Sequence, residues 1–132
     1  QKLLFGKYTE MCAVDGINRA AVPTLIAHGV DDSVVRLDTQ SIVSEANAIT
    51  NPNAQYYLGK GLCGGHDSIW HSPSAVAYQM EIESELNLMR MKEGGKLTDE
   101  KKAELYATVD HRKYSAPSEE LLDRIDATFL EG

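Results

Sequence analysis

Residues 22–35 read Val22-Pro23-Thr24-Leu25-Ile26-Ala27-His28-Gly29-Val30-Asp31-Asp32-Ser33-Val34-Val35. The run from Thr24 to Ala27 is short, apolar and partly β-branched, and Pro23 opens it where a strand tolerates a proline. It stops at His28-Gly29, and two acids follow. A strand without a polar face is buried on both sides, which points to a parallel sheet with helices on each face. Asp31 and Asp32 then stand just past the carboxyl end of a strand, where open α/β sheets place their chemistry.

A second stretch matches the first. Gln55-Tyr56-Tyr57-Leu58 reads as another short strand, and the glycine-rich run Gly59-Lys60-Gly61-Leu62-Cys63-Gly64-Gly65 carries it to His66. Between the strands, Asp38 to Ile49 is amphipathic. The spacing predicts a helix there, capped by Asp38 or Thr39, with Ile42, Val43, Ala46 and Ile49 as its buried stripe. Thr50-Asn51-Pro52-Asn53 stops it. Strand, helix, strand predicts a right-handed parallel crossover with both loops at one edge of the sheet. A carboxylate and an imidazole 34 positions apart would then face each other.

His66 is the leading candidate for chemistry. Nearby glycines put it on an exposed loop, and an imidazole titrates near neutrality, so it can take a proton from a hydroxyl and return it to a leaving group. Asp31 and Asp32 are the candidate acids; a turn aspartate that closes the loop is the plainer reading of either. Asp67 and His71 belong to the surroundings of the site, and Trp70 lines a pocket or anchors the next helix. Gly59-x-Gly61-x-x-Gly64 has the spacing of a dinucleotide fingerprint, but no helix opens at its third glycine and no acid stands at the expected strand end. His28, Asp31, Asp32 and His66 carry metal-ligand atoms, yet no local ligand motif organises them. No cofactor and no metal are expected.

The pattern P-x-L-x-x-H-G-x-x-D-x-x-V, then a crossover, a strand and G-G-H, resembles the last third of the α/β-hydrolase fold, over roughly residues 20–80. The resemblance implies a catalytic triad in the chain order Ser, Asp/Glu, His. Asp32 falls where that family's acid follows its seventh strand, and His66 where the histidine follows its eighth. In such a site the carboxylate fixes the imidazole tautomer and stabilises the imidazolium that forms. The resemblance also gives His28 a supporting role in its loop.

The nucleophile is absent. No G-x-S-x-G occurs, and no serine has glycines at both flanking positions. Two parallel strands also make a poor sheet by themselves. The expectation is therefore the C-terminal part of a three-layer α/β/α hydrolase, whose nucleophile and remaining strands lie upstream; the start at Gln1, without a methionine, agrees. Residues 1–93 would be the C-terminal portion of the hydrolase domain and 94–132 a helical extension.

Within residues 1–19, Leu3, Leu4, Tyr8, Met11 and Cys12 recur at helical spacing, and Asp15 to Ala20 predicts a further turn leading into the strand. Ser74 to Lys92 predicts a long helix with Ala75, Tyr78, Ile82, Leu86 and Met89 packed on the sheet, ended by Gly94-Gly95. Helices are also predicted over Thr98–Val109, with Leu105, Tyr106 and Val109 on one side, and over Ser118–Leu130, with Leu122, Ile125 and Phe129 on one side. Asp110 to Pro117 reads as a polar link.

The chain of 132 residues carries a net charge of −7 and a pI near 5.0, which argues against nucleic acid and anionic membranes as partners. No apolar run reaches bilayer length. Cys12 and Cys63 read as reduced thiols of a cytosolic protein. The functional expectation is carboxylic ester hydrolysis in the parent, on a small-molecule substrate. The rival from another class is a non-catalytic self-association module with a vestigial histidine loop. Self-association is expected on either reading, through the Val22–His28 or Gln55–Leu58 edge or the helices of 98–130, or by union with an upstream part.

Overall fold

The computed structural model describes residues 12–130. The helix expected around Leu3 to Met11 lies outside them. The chain is mixed α/β: helix α1 (Ala13–Ala20), strand β1 (Thr24–Gly29), strand β2 (Ala54–Gly59), then helices α2 (Pro73–Lys92), α3 (Asp99–Ala107), α4 (His111–Tyr114) and α5 (Glu119–Phe129). β1 and β2 pair in parallel, from Thr24 opposite Ala54 to Gly29 opposite Gly59. Among the described residues no helix is long and apolar enough to cross a membrane.

The crossover departs from expectation. An α-helix from Asp38 to Ile49 does not form; two short 3₁₀ turns span Ile42–Ala48 and meet at a kink at Glu45. Local side chains explain this. The Arg36 guanidinium bonds both Asp38 oxygens at 3.2 and 2.9 Å, and the Arg36 carbonyl accepts from the N–H groups of Gln40 and Ser41. That turn uses up the expected cap. Ser41 starts the 3₁₀ segment instead, accepting from the Val43 N–H at 3.1 Å and donating to the Leu37 carbonyl at 3.0 Å. The expected stripe of Ile42, Val43, Ala46 and Ile49 is only half-buried.

Asparagines secure the crossover end. Asn18 of α1 donates to the Ala48 carbonyl and accepts from the N–H groups of Thr50 and Asn51. Asn51, itself buried, donates to the carbonyls of Ile17 and Val22. α1 is thus tied to the entry of β2, and Val14 is its buried residue.

The C-terminal helices fold inward. α5 lies across one face of the sheet, where Leu121 packs with Tyr57 and Ile69, and Ile125 joins Leu25 and Ala27. Its buried positions are Leu121 and Thr128, with Ile125 half-buried, whereas the predicted Leu122 and Phe129 are 46% and 53% exposed. The real stripe is turned by one residue from the predicted one. Ser118 caps α5 as expected, accepting from the Leu121 N–H.

α2 begins at the cap Ser72 with Pro73 in its first turn, and Gly94 and Gly95, both at positive φ, follow its end. Its inner residues Ile82 and Leu86 form a second core with Leu105 of α3 and Val109, flanked by Tyr78, Met89 and Tyr114. So this face of α2 packs on the C-terminal helices, not on the sheet as expected. The polar link of 110–117 contains the short α4, capped by Asp110.

Candidate active site

Both loops that follow the strands meet at the carboxyl end of the sheet. The Asp31 N–H donates to the Gly64 carbonyl at 2.9 Å and the Val30 N–H to the Gly59 carbonyl at 2.9 Å. The approach is closer than any side chain allows. A Cβ on Gly29 would lie 2.2 Å from the Gly64 oxygen, and one on Gly59 would lie 2.3 Å from the Cys63 oxygen. The Gly59, Gly61 and Gly64 spacing is thus spent on loop packing, with a single 3₁₀ turn over Gly61–Gly64 and no phosphate-binding helix.

This contact sets the side chains. Asp32 is buried, and its Oδ1 accepts from the N–H groups of Val34 at 2.8 Å and Val35 at 2.9 Å. Its Oδ2 accepts from His66 Nδ1 at 2.7 Å. With Nδ1 committed to a carboxylate, the neutral ring carries its proton there and leaves Nε2 as the basic atom. Nε2 has no protein hydrogen bond among the described residues, and the His66 side chain is 45% exposed.

Charge follows geometry. Burial raises the Asp32 pKa, but the Val35 N–H, the His66 hydrogen bond, the Val34 N–H and the His66 charge together outweigh it and bring it down from 3.8 to about 2. The His66 pKa is raised, first by its hydrogen bond to Asp32 and then by the charge of that carboxylate; desolvation opposes and Asp67 adds a little. At neutral pH Asp32 is therefore an anion that favours a proton on the ring.

His28, at the end of β1, supports the acid loop. Its Nε2 donates to the Val35 carbonyl at 2.9 Å and lies 3.7 Å from Asp32 Oδ2. A carbonyl only accepts, so Nε2 carries the proton. His28 thereby holds the residue whose N–H holds Asp32. The sequence offered a loop-support role for His28 through the family resemblance; the bonded atoms were not readable.

The structure brings Asp32, His66 and His28 together, sets Asp67 and Trp70 around the same cavity, and leaves Asp31 and His71 outside it. Asp31 is exposed, its carboxylate lies against Gly64, and among the described residues it makes no hydrogen bond to the imidazole. Asp67, Ile69, Trp70, Val35 and Ala27 line a cavity of about 320 Å³ shared with Asp32 and His66. Trp70 stands 58% exposed at this cavity, and Ile69 points into the core. His71 is not part of it; its backbone pairs with Pro117 and its Nδ1 is buried without a partner. Among the described residues no three His, Cys, Asp or Glu are arranged to hold a metal ion.

Among the described residues no serine hydrogen-bonds His66. Ser68 Oγ accepts from the Gly65 N–H at 2.9 Å and so braces the histidine loop. Cys63 is buried, its thiol pKa is pushed up by burial and then by Glu120, and it faces the His71 carbonyl. A thiol held neutral in this way is not an attacking group.

No protein-family model, no curated protein and no solved structure matches this chain.

Proposed function

We propose that this chain supplies the acid and the histidine of an α/β-hydrolase-type serine hydrolase, acting on a carboxylic ester, with the nucleophilic serine provided from outside these residues. The resemblance of residues 20–80 to the last third of that three-layer fold is one support. The observation that carries the reading is the Asp32–His66 pair at 2.7 Å, with the acid held by two backbone N–H groups and Nε2 facing open space. A turn aspartate that only closed its loop would need the N–H bonds alone.

In this reading His66 Nε2 takes the proton from the serine hydroxyl as its oxygen attacks the ester carbonyl. The imidazolium is stabilised by Asp32, and the same proton then passes to the departing alkoxide. Water repeats the sequence to release the acid. Trp70, exposed at the cavity beside His66, forms the wall against which the substrate lies. Free Cys12 and Cys63 accord with a reducing, cytosolic setting.

The rival module assigned the helices of 98–130 to self-association. α3 and α5 spend their buried positions inward, on α2 and on the sheet. Leu122 and Phe129 stay exposed on the outer side of α5; what favours the hydrolytic reading is the Asp32–His66 pair.

The test joins the chain to the segment that carries the nucleophile. There, His66→Ala lowers kcat by about 10⁴–10⁶-fold and Asp32→Asn by up to about 10⁴-fold. The 132-residue chain alone takes no serine-directed fluorophosphonate label. Stoichiometric labelling of one serine here, or full activity of His66→Ala, sinks the proposal.

A further inference from the structure

Helix α2 is apolar on two opposite faces. Its inner stripe is Ala75, Tyr78, Ile82, Leu86 and Met89, which face the core. An outer stripe, Ala77, Met80, Ser84, Leu88 and Met91, repeats the same steps of three, four, four and three. Each outer residue lies two positions after an inner one, which is about 200° round a helix. The outer residues are open: Met80 is 59%, Leu88 55% and Met91 77% exposed. A groove of about 520 Å³ runs beside them, and Leu62, 47% exposed, is its far wall. A helix at a finished surface has one apolar face; one with two is built to be covered on both.

The charges say what covers it. Glu81 and Glu85 flank the stripe on one side with Lys92, and Glu83 flanks it on the other with Arg90. A parallel copy would bring Glu81 and Glu85 of one helix level with the partner's Glu83, acid against acid. An antiparallel copy centred between Leu86 and Asn87 sets Glu81 across from the partner's Lys92 and Glu83 across from the partner's Arg90. Two-fold symmetry keeps each flank facing its own kind and doubles both pairs; it also brings the two Glu85 side chains near each other at the centre, one like-charge contact against four opposite-charge ones. Among the described residues Glu81 and Lys92 have no ion-pair partner, and Arg90 bonds only Asn87, at 2.9 Å. In this register the two Leu88 side chains meet at the centre. Ser84, the small residue of the stripe, receives the partner's Leu88 and Met91.

We propose that the outer face of α2 is an isologous, antiparallel docking surface for a second copy of this chain. It is a face distinct from the strand edges and from the 98–130 helices, and it does not depend on the hydrolytic reading. One helix pair is a small interface, so the dimer is in the micromolar range, roughly 1–100 µM.

Sedimentation velocity over a concentration series tests it, on the full chain and four variants. The wild type is expected to pass from monomer to dimer. Leu88→Asp is expected to remain monomeric with unchanged circular dichroism. Glu81→Lys and Lys92→Glu are each expected to weaken the dimer roughly five- to tenfold, and the double reversal to restore it. The reversals are at exposed positions and keep the test alive should Leu88→Asp misfold. A wild type monomeric at every concentration overturns the proposal, since the stripe is then covered within the chain or by another protein. A dimer indifferent to Leu88→Asp, or a double reversal that fails to restore it, overturns it equally.

Discussion

At the scale of residues, the site is a short relay of hydrogen bonds. His28 Nε2 grips the Val35 carbonyl, the Val35 N–H grips Asp32 Oδ1, and Asp32 Oδ2 grips His66 Nδ1, at 2.9, 2.9 and 2.7 Å. The last bond raises the His66 pKa, so that pKa reports the whole relay. Asp32→Asn removes both the charge and the strong acceptor, and the His66 titration is expected to move down in pH. His28→Leu leaves the carboxylate but frees Val35, and is expected to lower the His66 pKa by a smaller amount. His28→Gln, which keeps an N–H in reach of the carbonyl, should preserve it better. Imidazole chemical shifts followed against pH measure all three; a His66 value unmoved by Asp32→Asn would show that the pair does not exist in solution. Asp32 and His66 were legible because their loops follow strands and their residue types are chemical. The choice of Asp32 over Asp31 came from the resemblance. In the structure it is Asp32 that bonds His66, while the Asp31 carboxylate occupies the space that a side chain on Gly64 would take.

At the scale of elements, the strands were legible and the helix faces less so. Thr24–Gly29 and Ala54–Gly59 announce themselves by apolar runs closed by glycine. The crossover misled because amphipathic spacing ignores local competition: the Arg36–Asp38 pair and the Ser41 cap make a turn where a helix was expected to start. α5 misled by one residue because adjacent leucines, Leu121 and Leu122, fit a helical stripe equally well on paper. Burial separates them, at 3% against 46% exposed. Leu121→Ala should therefore cost about 2–4 kcal/mol, since it opens a cavity between Tyr57 and Ile69. Leu122→Ala should stay within about 0.5 kcal/mol of wild type. Urea unfolding midpoints at constant slope compare the two; a larger loss at Leu122 would mean that α5 presents the other side to the sheet.

At the scale of the whole molecule, one ion pair links stability to pH from both directions. The carboxyl of Asp32 falls from 3.8 to about 2 on folding, so its contribution is present above the ordinary value and is lost as the pH drops through the folded one. The imidazole of His66 is raised above 6.5, so its contribution is complete below that value and is lost as the pH climbs through the folded one. The pair's contribution to stability is thus complete only between the two ordinary pKa values. Outside that window the acid of the unfolded chain gains a proton, or its imidazole loses one, before the folded pair does. Half-exposure of His66 keeps the effect small, because solvent screens the pair. Other groups, the exposed Arg36–Asp38 pair among them, also titrate on folding, so a stability curve of the wild type alone would mix several sources. The difference between wild type and Asp32→Asn removes those shared sources. The N–H bonds of Val34 and Val35 to the new side chain do not themselves titrate. That difference, taken from denaturant unfolding at closely spaced pH, is expected to form a plateau between about pH 4 and pH 6.5 and to shrink on both sides. Loss on the acid side alone would mean that Asp32 is held by its backbone N–H groups and not by His66. A difference flat across both flanks would remove the ion pair, and with it the observation on which the hydrolytic reading rests.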